Sequence, residues 1–130
     1  MNTEAMKQTL EESEAGNMVF PEVVRQLVEA GVESYFADFV SGTHTYYLPD
    51  GGTHVEKRTL PLSPVSAIFS KEGITAAIRG AQTDTVRYPE FVKLAAAAGV
   101  AAYWVFLTGR RAVYFGRKGE IHIEEFPGSK

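Results

Sequence analysis

The sequence contains no cysteine, which excludes a disulfide framework, a thiolate metal site and a cysteine nucleophile. It has no excess of positive charge either, because 13 lysines and arginines stand against 16 acidic residues. The net charge of −3 lacks the electrostatic footprint of a nucleic-acid-binding protein. The longest apolar run, Val100 to Leu107, is too short to span a bilayer, and the first residues do not form a signal peptide. These absences predict a cytoplasmic protein that binds neither nucleic acid nor membrane.

The motifs of common enzyme classes are also missing. The sequence has no phosphate-binding glycine loop, no zinc-protease helix motif and no nucleophile elbow. We therefore predict neither a metal nor an organic cofactor, and no catalytic residue is assigned. The absence of these motifs favours a protein that is not an enzyme.

What the sequence does contain is an internal repeat. Residues 20–56 align without a gap on residues 88–124, and 11 of the 37 aligned pairs are identical. Ordinary residue usage would give roughly two identical pairs. The same offset of 68 residues aligns Met6 with Ile74 and Leu10 with Ile78. A repeat at a fixed offset predicts that one architecture is built twice.

Each copy is predicted to contain two helices followed by three strands. Pro21 and Pro89 mark the start of the second helices, and Gly31 and Gly99 follow their ends. Alternating apolar residues after each glycine indicate strands. The predicted helices are 3–14, 21–30, 71–81 and 89–98, and the predicted strands are 32–40, 43–48, 53–58, 100–107, 111–115 and 120–126.

The expected fold class is α+β. It is an internal duplication of an ααβββ unit, with two antiparallel three-stranded meanders related by a pseudo-two-fold axis and helices on one face. We expect residues 1–130 to form a single domain, with unit one at about 2–58 and unit two at about 70–126. Residues 59–69 contain Pro61 and Pro64 and read as a linker.

Position parity sorts strand residues between the two faces of a sheet, because side chains alternate along a strand. The odd positions are mainly apolar and form the predicted core face. The even positions mix aromatic residues with all three histidines, which is typical of a binding surface. The candidate ligand- or partner-binding residues on this even face are Phe36, Asp38, Tyr46, His54, Glu56, Trp104, Tyr114, His122 and Glu124.

Three kinds of cover could close the even face: the linker, a second copy of the chain, or a bound molecule. The leading hypothesis is a small cytoplasmic protein that binds an unknown small ligand or a protein through this face. The alternative is a homodimeric structural or phage-related protein that uses the face as its interface.

Two His-x-Glu pairs, His54 with Glu56 and His122 with Glu124, suggest a further alternative. Each pair places an imidazole and a carboxylate on one side of a strand, which suits metal binding or a hydrolase-type enzyme. However, the apolar strand 100–107 suits the centre of a sheet, and the polar strand 53–58 suits an edge. Opposite edges of six strands lie roughly 24 Å apart, so a shared metal site is disfavoured.

Several segments resemble the YbcV-like bacterial proteins. The segments are Phe20–Val24, Ala30–Glu33, Thr45–Tyr47, Ala76–Arg79, Tyr114–Arg117, Gly119–Glu120, His122, Glu124 and Phe126–Gly128. The resemblance covers nearly the whole chain after about residue 17. It implies a domain of unknown function, some of whose members carry the label "phage envelope protein", and it implies no catalytic residues.

Overall fold

The computed structural model describes residues 1–127, which form four helices and one six-stranded antiparallel sheet. The first half contains α1 (Thr3–Glu14), α2 (Phe20–Glu29), β1 (Ser34–Asp38), β2 (Thr43–Tyr47) and β3 (Thr53–Lys57). The second half contains α3 (Lys71–Gln82), α4 (Tyr88–Ala97), β4 (Val100–Phe106), β5 (Arg111–Gly116) and β6 (Ile121–Glu125). The predicted α+β fold with two meanders is confirmed. Within the same residues, no helix is both long enough and apolar enough to cross a membrane.

The strand order is β3-β2-β1-β4-β5-β6, so β1 and β4 form the central pair. Their register places Phe36 directly opposite Trp104, which is also its partner at the 68-residue offset. The pseudo-two-fold axis therefore passes through this pair of residues. The polar strand β3 and its counterpart β6 lie at the edges, as the sequence predicts.

The helix ends follow from local chemistry. The side chains of Asn2 and Ser70 accept hydrogen bonds from backbone N–H groups in the first turns of α1 and α3, at 3.1 and 3.0 Å. Helices α2 and α4 begin with a proline in the first turn, where the missing N–H costs nothing. Both end before a glycine at positive φ, Gly31 at 86° and Gly99 at 90°.

All four helices pack on one face of the sheet, and the core lies between the two layers. Each helix contributes apolar side chains, and the four central strands contribute mainly tyrosine, alanine and valine. The principal core residues are Met6, Leu27, Tyr35, Ala37, Tyr46, Ile74, Ile78, Phe91, Ala95, Tyr103, Val105, Ala112 and Tyr114.

The predicted division of residues between the two faces is wrong for the four outer strands. The β1–β2 pairing places Tyr35 opposite Tyr46, and the β4–β5 pairing places Tyr103 opposite Tyr114, so odd positions meet even ones. The other three pairings preserve parity. Even positions of β2, β3, β5 and β6 therefore share the helix-covered face with odd positions of β1 and β4.

The linker runs along one end of the sheet. Leu62 packs against Gly42 in the β1–β2 turn, and Phe69 packs against Gly116 at the end of β5. The backbone N–H groups of Ser66 and Ser70 donate to carbonyls at the end of α4, at 3.0 and 2.7 Å. Anchored at these points, the linker follows the sheet end and does not cross the uncovered face, contrary to one interpretation of the sequence.

The two helix-terminal glycines allow a matched stability test. In Gly31→Ala the new Cβ meets no atom within 4 Å, so only the left-handed backbone is penalised and we expect a loss of about 1 kcal/mol. In Gly99→Ala the Cβ would lie 2.3 Å from the carbonyl oxygen of Ile68, which adds roughly 1–3 kcal/mol of overpacking. Urea unfolding measures both losses. Equal losses would contradict the close approach of the linker to Gly99.

Candidate functional site

A cavity of about 150 Å³ lies between the helices and the sheet. Its floor carries four buried tyrosines, Tyr46, Tyr35, Tyr103 and Tyr114, one from each of the strands β2, β1, β4 and β5. Neighbouring tyrosine rings are in contact, with centroids 5.4–6.4 Å apart. Burial raises the pKa of each of these phenols, so they stay protonated. The result is a mainly apolar chamber with an aromatic floor.

One end of this cavity is polar. His44 points from β2 into the floor, and its Nε2 lies 2.9 Å from the hydroxyl oxygen of Tyr88. Tyr88 is the first residue of α4, so this hydrogen bond joins a helix of the second half to a strand of the first. His44 and Tyr88 line the cavity, and Arg58 adjoins Tyr88 without lining the cavity itself; we call these three residues the polar end of the cavity.

Arg58 follows β3 directly, and its backbone N–H donates to the carbonyl of Gly42 at 2.8 Å. Its side chain is only 8% exposed, and the guanidinium lies over the ring of Phe39, 5.3 Å from the centroid. Among residues 1–127, none of its three guanidinium nitrogens has a hydrogen-bond partner of good geometry. A buried cation of this kind is uncommon, because unpaired charge is costly away from water.

Glu14, the last residue of α1, is the buried acid of this region. Its carboxylate accepts hydrogen bonds from the backbone N–H groups of Thr59 and Leu60 and from the Thr59 hydroxyl, at 2.9–3.1 Å. Glu14 thereby fixes the chain just after Arg58. It forms no ion pair with the guanidinium within 4 Å, since its oxygens are committed to the linker.

The opposite end of the cavity is apolar at the three equivalent positions, although Glu124 and Glu125 of β6 also line the cavity. At the 68-residue offset, Tyr88 corresponds to Phe20, His44 to Ala112 and Arg58 to Phe126. Phe20 and Phe126 pack edge to face with centroids 5.8 Å apart. The same places in the architecture therefore hold a hydrocarbon cluster in one half and ionisable groups in the other.

The electrostatics of the polar end favour a neutral imidazole. Burial, reinforced by the positive charge of Arg58, lowers the pKa of His44 to about 3. Burial raises the pKa of Tyr88, and the nearby Arg58 opposes that rise. At neutral pH, Arg58 is therefore the charged member of the polar end, beside a neutral histidine and a neutral tyrosine.

The uncovered face of the sheet holds three of the predicted binding residues: Phe36, Asp38 and Trp104. Trp104 contacts Phe36, Tyr47 and Phe106, with ring centroids 5.2–5.5 Å apart. The buried indole Nε1 of Trp104 has no hydrogen-bond partner in residues 1–127. Asp38 has a local role, because its Oδ1 accepts from the backbone N–H groups of Val40 and Ser41 in the β1–β2 turn.

The remaining predicted residues lie on the helix-covered face. Tyr46, Tyr114 and Glu124 line the cavity. The two His/Glu pairs, the second of which contains Glu124, lie on the edge strands β3 and β6. His54 Nε2 is 2.5 Å from Glu56 Oε2, and His122 Nε2 is 3.4 Å from Glu124 Oε1. With four strands between them, the pairs cannot share an ion. In the described part of the chain, no three acidic, histidine or cysteine side chains form a metal-binding group.

The polar end of the cavity was absent from the predicted binding residues. Six of the nine predicted residues are identical between the two repeats, and such identities mark shared structure. The polar end lies at the differences instead, where an ionisable or hydroxyl-bearing residue faces an alanine or phenylalanine in the other copy. A comparison of His44 with Ala112 and of Arg58 with Phe126 would have found it.

The fold and cavity define a protein class in which two ααβββ halves share one sheet and enclose a tyrosine-lined chamber. The chain belongs to the family described as "Protein of unknown function (DUF1398)", which it matches over residues 20–125. No curated protein matches the chain. The matched range includes His44, Arg58 and Tyr88, and it confirms the expected domain of unknown function.

The buried imidazole of His44 predicts a specific pH dependence of stability. Its folded pKa lies below the unfolded value of about 6.5, so the unfolded chain binds the proton more tightly and stability falls as pH falls from 6.5 towards 3. Between pH 7 and pH 5 this group should remove about 2 kcal/mol. His44→Ala, which copies Ala112, should lack that component, and Tyr88→Phe should retain it. Denaturant unfolding at both pH values measures the difference, and identical losses in wild type and His44→Ala would contradict it.

Proposed function

We propose that this protein binds a small ligand in the cavity between its helices and its sheet. The mainly apolar chamber would hold the body of the ligand, and the polar end would recognise one polar group on it. Binding pockets generally combine an apolar wall with a few convergent polar side chains, and this cavity has both.

The observation that carries the proposal is the difference between the two ends of the cavity. At one end the three equivalent positions are Phe20, Ala112 and Phe126, so the architecture does not require an imidazole, a phenol or a guanidinium at these places. Glu124, directly opposite Ala112, also lines the cavity at that end. Burial of the Arg58 guanidinium without an ionic partner costs free energy, so its presence at the other end is better explained by recognition than by folding.

The size of the chamber limits the ligand. An apolar cavity of about 150 Å³ accommodates a molecule as large as benzene. We therefore expect a compact ligand with a single ring or a short branched chain. The four floor tyrosines would contact its body through their ring faces and edges.

Titration of the isotope-labelled protein with benzene and phenol tests this function. We expect shifts of the backbone amides of Tyr35, Tyr46, Tyr103 and Tyr114. Ala112→Leu fills the floor and should weaken binding by about tenfold or more. The fold should tolerate this change, since the larger His44 stands at the equivalent place. Unshifted floor amides at saturating probe, or unchanged binding by Ala112→Leu, would argue against a ligand in the cavity.

A second candidate function is association of two copies through the uncovered face. The observation that favours it is the apolar surround of the aromatic cluster: Ile121, Ile123 and Val55 are about half exposed on that face. The pseudo-two-fold axis passes through its centre, so the face is nearly symmetric. Two such faces could pack as an aligned pair of sheets in an isologous contact. This candidate keeps the structural or phage-related role expected from the sequence.

Matched surface variants test the second candidate. If the face is an interface, the wild-type protein should have twice the monomer mass of 14.3 kDa, and Ile123→Lys should have the monomer mass. Val28→Lys is the control, because Val28 is 53% exposed on α2 and Ile123 is 52% exposed on the uncovered face. Light scattering after gel filtration measures the masses. A monomeric wild type, or dissociation of the control, would contradict this candidate.

Several finer expectations from the sequence stay predictions. They are a cytoplasmic location, a single domain over the whole chain, the YbcV-like identity with its phage label, and hydrolase-type chemistry at the His/Glu pairs. Of these, hydrolase chemistry would have to operate separately at each edge of the sheet, because the two pairs lie on β3 and β6.

A further inference from the structure

Arg58 is the group at the polar end whose hydrogen-bond donors and positive charge have no partner of good geometry and no counter-charge in the described part of the protein. Its guanidinium carries five N–H donors in a rigid planar fork, and all three of its nitrogens are buried without a good hydrogen-bond partner in residues 1–127. Its contacts with Phe39 and Tyr88 are with an aromatic ring and a phenol. Neither supplies a negative charge.

The acidic groups nearby do not neutralise it. Glu14 acts electrostatically on Tyr88, as Arg58 does, but its carboxylate is held by Thr59 and Leu60. Glu56, which acts on Tyr46, is bound to His54 at 2.5 Å. Within residues 1–127, no carboxylate oxygen lies within 4 Å of the Arg58 nitrogens. The polar end is consequently rich in donors and poor in acceptors.

His44 and Tyr88 strengthen this imbalance. His44 is neutral, so it leaves the charge of Arg58 uncompensated, and it shares one hydrogen bond with the Tyr88 hydroxyl. Tyr88 lines the cavity and adjoins Arg58. Arg58 does not line the cavity and its nitrogens are enclosed, so a negatively charged group at this end would meet Tyr88 first and would pair with the guanidinium only after the Tyr88 hydroxyl moves aside.

We propose that the ligand is a small organic carboxylate, whose carboxylate group pairs with Arg58 and whose apolar body occupies the tyrosine-lined chamber. The planar guanidinium fork matches the two oxygens of a carboxylate in geometry and charge. The chamber volume of about 150 Å³ suits a body of the size of one benzene ring. This inference rests on the proposed ligand-binding function and specifies its ligand class.

The repeat supplies the variant that tests it. Arg58→Phe copies Phe126, which packs well at the equivalent place against Phe20. Replacement of an unpaired buried charge by an apolar ring should raise the unfolding midpoint of the free protein. A purely structural role for Arg58 predicts the opposite, a lower midpoint. Arg58→Lys is the second variant, because it keeps the charge but lacks the planar fork.

The experiment is calorimetric titration of the full chain at pH 7 with benzoate and hexanoate and with their uncharged amides. Wild type should bind each acid about tenfold or more tightly than its amide, because a charge-assisted hydrogen bond is lost in the amide. Arg58→Phe should bind acid and amide alike, and Arg58→Lys should retain only part of the preference.

The outcomes separate this inference from the proposed function. Equal binding of acid and amide by wild type overturns the carboxylate assignment and leaves the ligand cavity intact. A preference for the acid that survives in Arg58→Phe also overturns it, since the anion is then held elsewhere. If neither the acids nor their uncharged amides bind, and benzene and phenol also fail to shift the backbone N–H signals of the floor tyrosines, both proposals are wrong. Loss of the preference in Arg58→Phe, with a raised unfolding midpoint, supports the assignment.

Discussion

The antiparallel pairing of β1 with β4 is the contact on which the rest of this structure depends. This pairing joins the two three-stranded meanders into one six-stranded sheet, which provides a common floor for all four helices. The register of the central pair, with Phe36 opposite Trp104, fixes which side chains face the helices. A slip by one residue would place Tyr35 and Tyr103 on opposite faces of the sheet, so one of the two would leave the core. The core, the cavity and the uncovered aromatic cluster all follow from this one alignment.

The same pairing makes the candidate site a joint product of the two halves. The start of α4 reaches the floor of the first meander, where Tyr88 meets His44. The start of α2 reaches the second meander, where Phe20 meets Phe126. Each end of the cavity therefore combines strands of one half with a helix of the other. A single ααβββ unit could not form either end.

Two nearly equivalent ends in one molecule provide an internal comparison that most proteins lack. At the end formed by Phe20, Ala112 and Phe126, the fold closes with two rings packed edge to face and a small residue beside them, and the guanidinium of Arg110 lies over the Phe126 ring. The polar end departs from that arrangement at every equivalent position and buries a guanidinium without an ionic partner. Buried unpaired charge opposes folding. The unpaired guanidinium is therefore the physical reason for proposing that ligand recognition occurs at this end of the cavity and not at the other.

The sequence by itself determined the elements, their order and the edges of the sheet, because these follow from local chemistry. Proline and glycine bound α2 and α4, and the apolar strand 100–107 and polar strand 53–58 indicated their central and edge positions. Only the tertiary structure decided which side chains of each strand face the helices. The register across each hairpin decides whether an odd position of one strand lies opposite an odd or an even position of the next. Tyr35 lies opposite Tyr46, so the prediction that odd positions of all strands share one face is wrong. It also decided the site, because helix packing alone brings Tyr88 to His44, 44 residues earlier in the chain.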